Sequence, residues 1–236
     1  MTDLEYIKKY GNPAEYEENL KRLENGEPVQ YIVGNVNFYG LIFKVDKRVL
    51  IPRFETEELI EKTLKYLDKD KALKIIDLGT GSGCVAITLK KFLPDSEVTA
   101  YDVSHEALEV AQENAKMNHV DIHFKNRSME NIHGNYDLII SNPPYIAYDE
   151  QIEEVVQKNE PHQALYAPEQ GLYYYRKILE QAKNILNNEG LIAFEIGETQ
   201  SEAILSLAHQ LLPTSISWVE QDLQGLDRFV FIKKVF

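Results

Sequence analysis

Three features of the sequence predict an α/β fold with a mostly parallel sheet and helices on both of its faces. From residue 74 onward, short apolar runs alternate with stretches of helical periodicity. The first run, Ile75-Ile76-Asp77-Leu78, ends in a glycine-rich turn that opens a helix. The last two runs, 216–219 and 229–235, have only the turn 221–227 between them. Alternating strands and helices build a parallel sheet covered on both sides. A connection as short as the last one cannot make a parallel crossover, so the final strand is expected antiparallel in a sheet of seven.

Taken in order, residues 1–30 are polar and acidic, with one helix at 14–24 started by Asn12-Pro13 and stopped by Asn25-Gly26. Residues 31–52 read as a β-hairpin linker. Val36 and Phe38 lie on one arm, Ile42, Phe43 and Val45 on the other, and Tyr39-Gly40 makes the turn. The remainder, 53–236, is the main domain. It opens with a helix at 55–67, where Leu59, Ile60, Leu64 and Leu67 fall on one face. A strand at 74–78, a helix at 85–93 closed by Pro94 and a strand at 97–101 follow. Ser104 caps a helix to Met117, with Ala107 where a full capping box needs glutamate or glutamine. A weak strand at 122–124 precedes a strong one at 136–141, which stops at Asn142-Pro143-Pro144. A helix at 172–186 ends at Asn187, Asn188 and Gly190; a strand at 191–196 and a helix at 201–212, stopped by Pro213, lead into the closing pair.

Composition bounds the function. Hydrophobic residues make up 44% of the chain, enough for a sizeable core, and no apolar run approaches the ~18 residues of a membrane helix. The start, Met-Thr-Asp-Leu-Glu-Tyr, has no basic patch followed by an apolar stretch, so no secretory leader is expected. One cysteine, Cys84, excludes a disulfide framework and a cysteine-based zinc site, and the cytoplasm is the simplest compartment. The net charge of −13 argues against a nucleic-acid partner, since holding a phosphate backbone would need a local basic patch. The basic clusters are only pairs, such as Lys8-Lys9, Lys90-Lys91 and Lys233-Lys234.

Three segments carry chemistry. The first is Gly79-Thr80-Gly81-Ser82-Gly83, after the strand at 74–78. Such a turn lets a ligand approach the backbone and meet free N–H groups. A dinucleotide fingerprint would place its third glycine or alanine three residues after Gly81, where Cys84 stands, and no Gly-Lys-Ser/Thr is present. The spacing therefore disfavours nicotinamide cofactors and nucleoside triphosphates. The second is Asp102, after the next strand, where a carboxylate can accept both hydroxyls of a ribose. Together these two point to an adenosine-containing ligand. The third is Asn142-Pro143-Pro144-Tyr145, where two consecutive prolines stiffen the chain and present the Asn142 side chain at the same sheet edge.

The combination resembles the S-adenosylmethionine-dependent methyltransferases of amino groups, which act on the exocyclic amine of adenine or guanine, or on the amide of a protein glutamine. Further segments narrow the match: Glu27-Pro28-Val29-Gln30-Tyr31-Ile32, Leu50-Ile51-Pro52-Arg53 with Glu55-Thr56-Glu57, Glu195-Ile196-Gly197, and Asp222-Leu223 with Asp227-Arg228. These are similar to the peptide chain release factor N5-glutamine methyltransferases, over residues 27–236 or so. The resemblance implies a Rossmann-like methyltransferase fold and S-adenosylmethionine as cofactor. It also implies methyl transfer to the glutamine of a Gly-Gly-Gln loop in release factors. It assigns cofactor contacts to Gly79, Thr80, Gly81, Ser82, Gly83, Asp102, Ser128 and Asn142. Asn142 and the Pro143 carbonyl would accept the two N–H groups of the target amide, Pro144 would border it and Tyr145 would pack on its flat face. Two departures stand out. That family usually carries an amino-terminal helical domain, and here some thirty residues precede the matching region. It also commonly has an acidic residue near the adenine, where this chain reads Asn126-Arg127-Ser128-Met129.

Other residues read as structural. His119 and His123 flank a loop entering a strand, so no metal site is expected there. Cys84 lacks a partner base, and Tyr173-Tyr174-Tyr175 cannot share one helix face. An N6-adenine or N2-guanine methyltransferase acting on DNA or RNA is the alternative enzyme, and it calls for a basic channel. A non-catalytic adenosine-binding protein is the alternative of another class, but it would be expected to lose Asn142 or the glycines.

Overall fold

The structure, a computed structural model, describes residues 2–235. Its centre is a seven-stranded sheet formed by β3 (Lys74–Leu78), β4 (Glu97–Asp102), β5 (His123–Asn126), β6 (Tyr136–Ser141), β7 (Leu186–Glu195), β8 (Ser215–Gln221) and β9 (Asp227–Lys234). The order across the sheet is β5-β4-β3-β6-β7-β9-β8. β9 pairs antiparallel with both β7 and β8, while the pairs from β5 to β7 are parallel. The expected Rossmann-like methyltransferase topology, with its antiparallel last strand, is therefore present.

Strand alternation builds both halves of the core. Ile75, Leu138, Ile140, Leu191 and Ala193 pack on one face with helices α4 (Phe54–Tyr66), α5 (Cys84–Phe92) and α6 (His105–Met117). Ile76, Leu78, Ile139, Ile192 and Phe194 pack on the other with α8 (Tyr173–Ile185) and α9 (Ser201–Leu211). A sheet buried on both faces reads as a near-continuous apolar run, as β3 and β6 do. β3 has β4 on one side and β6 on the other, so the chain order reverses there. Ligands of such sheets bind outside the carboxyl ends of the strands at that switch point.

Ser104 caps α6 as expected, accepting the Ala107 N–H at 3.1 Å. Several boundaries differ from expectation. The helix expected at 14–24 is a 3₁₀ turn at Pro13–Glu15 followed by α2 (Tyr16–Glu24). Two further helices flank it, α1 (Asp3–Tyr10) and α3 (Val29–Val33). α1 has a full capping box between Thr2 and Glu5, and its Ile7 packs against Val29 and Ile32. The strand-like alternation from residue 31 starts only at β1 (Asn35–Phe38), which pairs with β2 (Leu41–Lys44) across Tyr39 and Gly40. The first residues of that stretch complete α3, which ends at Gly34 in the left-handed region at φ 79°. β7 begins at Leu186, not 191. Leu186 pairs with Tyr136 and Leu191 with Leu138, so Asn187–Gly190 bulge out between the two registers. The stretch 146–171, unassigned from sequence, contains α7 (Glu154–Asn159) and a 3₁₀ turn at His162–Ala164.

The hairpin is tied to α6 by two buried asparagines, of which Asn118 donates to the Ile42 carbonyl at 3.0 Å. Asn114 of α6 accepts the Lys44 N–H at 2.7 Å and donates to the carbonyls of Lys44 and Ser82. Tyr31 donates its hydroxyl to the Val49 carbonyl at 2.6 Å. These bonds carry residues 48–53 over the carboxyl ends of the strands.

Candidate active site

Three left-handed glycines shape the turn after β3, with φ of 74° at Gly79, 53° at Gly81 and 81° at Gly83. Side chains other than glycine rarely adopt this backbone. Asp77 braces the turn from below: its Oδ2 accepts the Thr80 hydroxyl at 2.6 Å and the Ala86 N–H at 3.2 Å. Burial pushes the Asp77 carboxyl up to about 7, against the pull of those two donors. Gly79 and Gly81 face an open cavity of ≈ 810 Å³, and a Cβ at Gly81 would meet no protein atom within 4 Å. Thr80, Ser82 and Gly83 turn the other way. Thr80 bonds Asp77, Ser82 gives its carbonyl to Asn114, and a Cβ at Gly83 would meet Ile87 and Ala111. These three shape the turn, and its other two residues line the cavity.

Asp102 lies at the end of β4 beside the turn. Its Oδ2 accepts the Gly81 N–H and its Oδ1 the Ser104 N–H, each at 2.9 Å. Burial raises its pKa, and the backbone N–H groups of Ser104, Gly81 and Val103 oppose that rise. Ser128 also borders the cavity, as do Arg127 and Met129. Glu130 borders it too, two residues beyond the position where an acidic residue was missed. A turn in which the Ser128 hydroxyl accepts the Glu130 N–H brings it there. The cavity is roofed by Arg48, Val49 and Leu50 from the linker and by Pro161, Gln163 and Ala164 from the segment after β6. Leu50 belongs to the segment 50–53 singled out in the sequence, whereas the strip after β6 belongs to no motif.

A second cavity of ≈ 880 Å³ adjoins the first, lined by Arg53, Tyr145, Ile146, Ile152, Val156 and Glu195 among others. Asn142 borders both cavities, as do Leu50 and Ala164. Pro144 faces the first and Tyr145 the second, while Pro143 is buried and lines neither. Its carbonyl accepts no hydrogen bond among the described residues. Tyr145 is held from behind. Gln200 donates to its carbonyl at 2.9 Å, and a Cβ added at Gly171 would collide with that same carbonyl. Burial, reinforced by nearby Glu195, pushes the Tyr145 hydroxyl well above its ordinary pKa.

Asn142 is oriented from the side of the sheet covered by α4. Its Nδ2 donates to the Thr56 hydroxyl at 3.2 Å, and that hydroxyl donates to Glu195 Oε2 at 2.6 Å. Burial pushes the Glu195 carboxyl up to about 7. Glu160 clamps the roof: its carboxylate accepts the Ile51 N–H at 3.0 Å and pairs with Arg53 at 2.5 Å, with 1% of its side chain exposed. His123 faces Glu97 on the surface, and burial pushes the Cys84 thiol up to about 12. Tyr175 is core and donates to the Glu195 carbonyl, but Tyr174 borders the first cavity.

The first cavity suits an adenosine-type cofactor with a flexible tail. Its floor is glycine backbone that any Cβ would obstruct, and the Asp102 carboxylate beside Gly81 keeps unused lone pairs. Gly79, Gly81, Asp102 and the 127–130 strip would hold S-adenosylmethionine there. The family model "Methyltransferase small domain" matches residues 58–205. The chain is 45% identical over 216 residues to a release factor glutamine methyltransferase of Lactococcus lactis, covering 90% of this chain and 80% of that one. A methyltransferase from Pyrococcus furiosus superposes at a TM-score of 0.66 with 18% identity, over 93% of this chain and all of that one, a likeness of fold alone. A release factor-specific protein-(glutamine-N5) methyltransferase from Alicyclobacillus acidocaldarius superposes at 0.51 with 26% identity, covering 82% of this chain and 100% of that chain. With a glycine-floored donor cavity, a second cavity beside it, Asn142 between the two and relatedness at this level over most of both chains, the chain belongs to the family of S-adenosylmethionine-dependent release factor glutamine methyltransferases.

Proposed function

We propose that this chain methylates the side-chain amide nitrogen of the glutamine in the Gly-Gly-Gln loop of peptide chain release factors, in the cytoplasm, through Asn142, Pro143 and Tyr145. The observation that carries this reading is the position of Asn142 on the border of two cavities, its carboxamide tied to Thr56 through Nδ2. S-adenosylmethionine, when bound, supplies an electrophilic methyl group on a sulfonium. The task left to the protein is to bring a poor nucleophile to it in line, because an amide lone pair is delocalised into its carbonyl.

Asn142 Oδ1 accepts one N–H of the target amide and the Pro143 carbonyl accepts the other. Two acceptors aimed at one NH₂ group orient the nitrogen and favour the positive charge that develops on it. Tyr145 packs against the planar amide and Pro144 closes the donor side. Residues 48–53 and 160–164 cover the junction, and the Glu160–Arg53 pair keeps both strips in place. Flanking glycines let the substrate backbone enter a narrow site without side-chain clashes. The charge of −13 disfavours a polyanionic substrate.

The test is mass spectrometry of a release factor incubated with the protein and S-adenosylmethionine. A gain of one methyl on the loop glutamine supports the reading. Label that enters only DNA or RNA overturns it in favour of base methylation.

A further inference from the structure

The side chain that faces the target amide is itself one end of a chain of three buried or half-buried groups. Asn142 Nδ2 donates to Thr56 Oγ1 at 3.2 Å, and Thr56 Oγ1 donates to Glu195 Oε2 at 2.6 Å. Thr56 and Glu195 are 3% and 2% exposed, so water does not substitute for either partner. The two belong to distant parts of the chain, the first turn of α4 and the last residue of β7.

The chemistry of the three groups fixes a direction. An ionised carboxylate can only accept hydrogen bonds. Glu195 therefore takes the single proton of the Thr56 hydroxyl. What the hydroxyl then offers Asn142 is a lone pair, and only the NH₂ end of a carboxamide can satisfy it. A carboxamide turned over would set oxygen against oxygen in a buried site, where unpaired polar groups are costly. With Nδ2 held, Oδ1 is the free end, and among the described residues it receives no donor.

We propose that Thr56 and Glu195 are positioning residues for methyl transfer: the carboxylate sets the direction of the Thr56 hydroxyl, and the hydroxyl sets which end of the Asn142 carboxamide meets the acceptor nitrogen. This rests on the role given to Asn142 above. It also predicts a pH dependence. Protonated Glu195 can donate to Thr56, which frees the hydroxyl proton to meet Asn142 Oδ1 and removes the bias. Burial, with the Glu55 charge adding to it, raises the Glu195 pKa to about 7, while Thr56, Arg228 and Arg53 pull it down. Tyr145, Tyr175 and Cys84 are the other titratable groups close to it, and all three are held neutral by burial.

Three variants test it on the full chain: Thr56→Val, Thr56→Ser and Glu195→Gln. Thr56→Val keeps the shape and loses the hydroxyl. Its kcat is expected to fall roughly tenfold or more, the scale of a misplaced reacting geometry. KM for the release factor and the calorimetric S-adenosylmethionine affinity should stay within about threefold, since the interaction matters chiefly in the transition state. Thr56→Ser keeps the hydroxyl and should restore kcat to within about threefold of wild type. The wild-type kcat should fall as pH drops through about 7, and Glu195→Gln, which cannot titrate, should lose that acid limb. A Thr56→Val kcat within fivefold of wild type, a Thr56→Ser loss as large as that of Thr56→Val, or an acid limb that survives in Glu195→Gln would each overturn the proposal. If the wild type methylates only nucleic acid, the proposed substrate fails separately, and the same three variants read out the positioning role on that acceptor.

Discussion

Replacing Asp102 by asparagine isolates the contribution of one carboxylate to cofactor binding. In the structure each Asp102 oxygen already accepts one backbone N–H, from Gly81 and from Ser104, both at 2.9 Å. A carboxylate oxygen has two lone pairs, so each oxygen keeps one for the cavity, a match for the paired hydroxyls of a ribose. Asparagine keeps the shape but has one oxygen and no charge, and its NH₂ must face either Gly81 N–H or Ser104 N–H, donor against donor. A hydrogen bond to a charged group contributes roughly 1.5–3 kcal/mol. At about 1.4 kcal/mol per decade, Asp102→Asn should weaken S-adenosylmethionine binding roughly ten- to a hundredfold. The assay is isothermal calorimetry with S-adenosylmethionine, repeated with an analogue lacking both ribose hydroxyls. The analogue should bind wild type and variant with nearly equal affinity, because the partner that Asp102 serves is gone. Wild-type affinity should also decline as pH falls through the raised Asp102 pKa, since only the ionised form accepts both hydroxyls, while the variant shows no such slope. An unchanged S-adenosylmethionine Kd in Asp102→Asn, or an equal loss for the analogue, would refute the ribose assignment.

Three further substitutions probe the same arrangement. Asn142→Ala removes an acceptor aimed at the developing charge and should cost about a hundredfold or more in kcat, with the cofactor Kd within about threefold; near-normal turnover on the release factor would exclude the role given to Asn142. Asp77 has its carboxyl pushed up to about 7 by burial, so its contribution to stability is present at low pH and lost as pH rises toward 7. Asp77→Asn keeps an acceptor for Thr80 and Ala86 without the buried charge, so thermal denaturation should find the variant more stable than wild type at pH 8, by up to roughly a few kcal/mol, with a smaller gap at pH 5. Gly171→Ala would drive a Cβ into the Tyr145 carbonyl from a backbone at φ 80°, so turnover should fall much further than cofactor affinity in paired kinetic and calorimetric measurements.

The parts of the site that the sequence exposes are those written in short local grammar. Strand β3, its glycine turn and helix α5 occupy one continuous stretch, and each step has a local physical cause. Asp102 and Asn142 are legible because both terminate strands, and strand ends converge at the switch point of a parallel sheet. What stays hidden is which distant residues meet. Thr56 and Glu195 are 139 residues apart and meet only because α4 packs on β7. The roof strip 160–164 belongs to a segment without strong periodicity, and its place is set by one buried carboxylate, Glu160, reaching back to Ile51 and Arg53. Glu130 escapes notice because a turn at Ser128, not a strand, brings it to the cavity. The bulge at Asn187–Gly190 looks in sequence like the end of a helix followed by a loop, because asparagine and glycine serve both.

On the proposed function, an amide and a nucleobase would each present a flat NH₂ to the same pair of acceptors. A base needs a wide aromatic slot and a route for the attached phosphates. The second cavity is bordered instead by Ile146, Ile152, Val156 and Tyr145, with Glu153 supplying negative charge and Arg53 already engaged by Glu160. A phosphate at that mouth would meet the Glu153 carboxylate and an Arg53 guanidinium already paired with Glu160. A glycine-flanked glutamine carries no charge into the cavity and little bulk beyond its own carboxamide. Selectivity on this account lies in what surrounds Asn142 and Pro143, and not in the two acceptors themselves. Charge reversal at Glu153 to lysine should therefore leave the acceptor geometry intact while easing the approach of a polyanion.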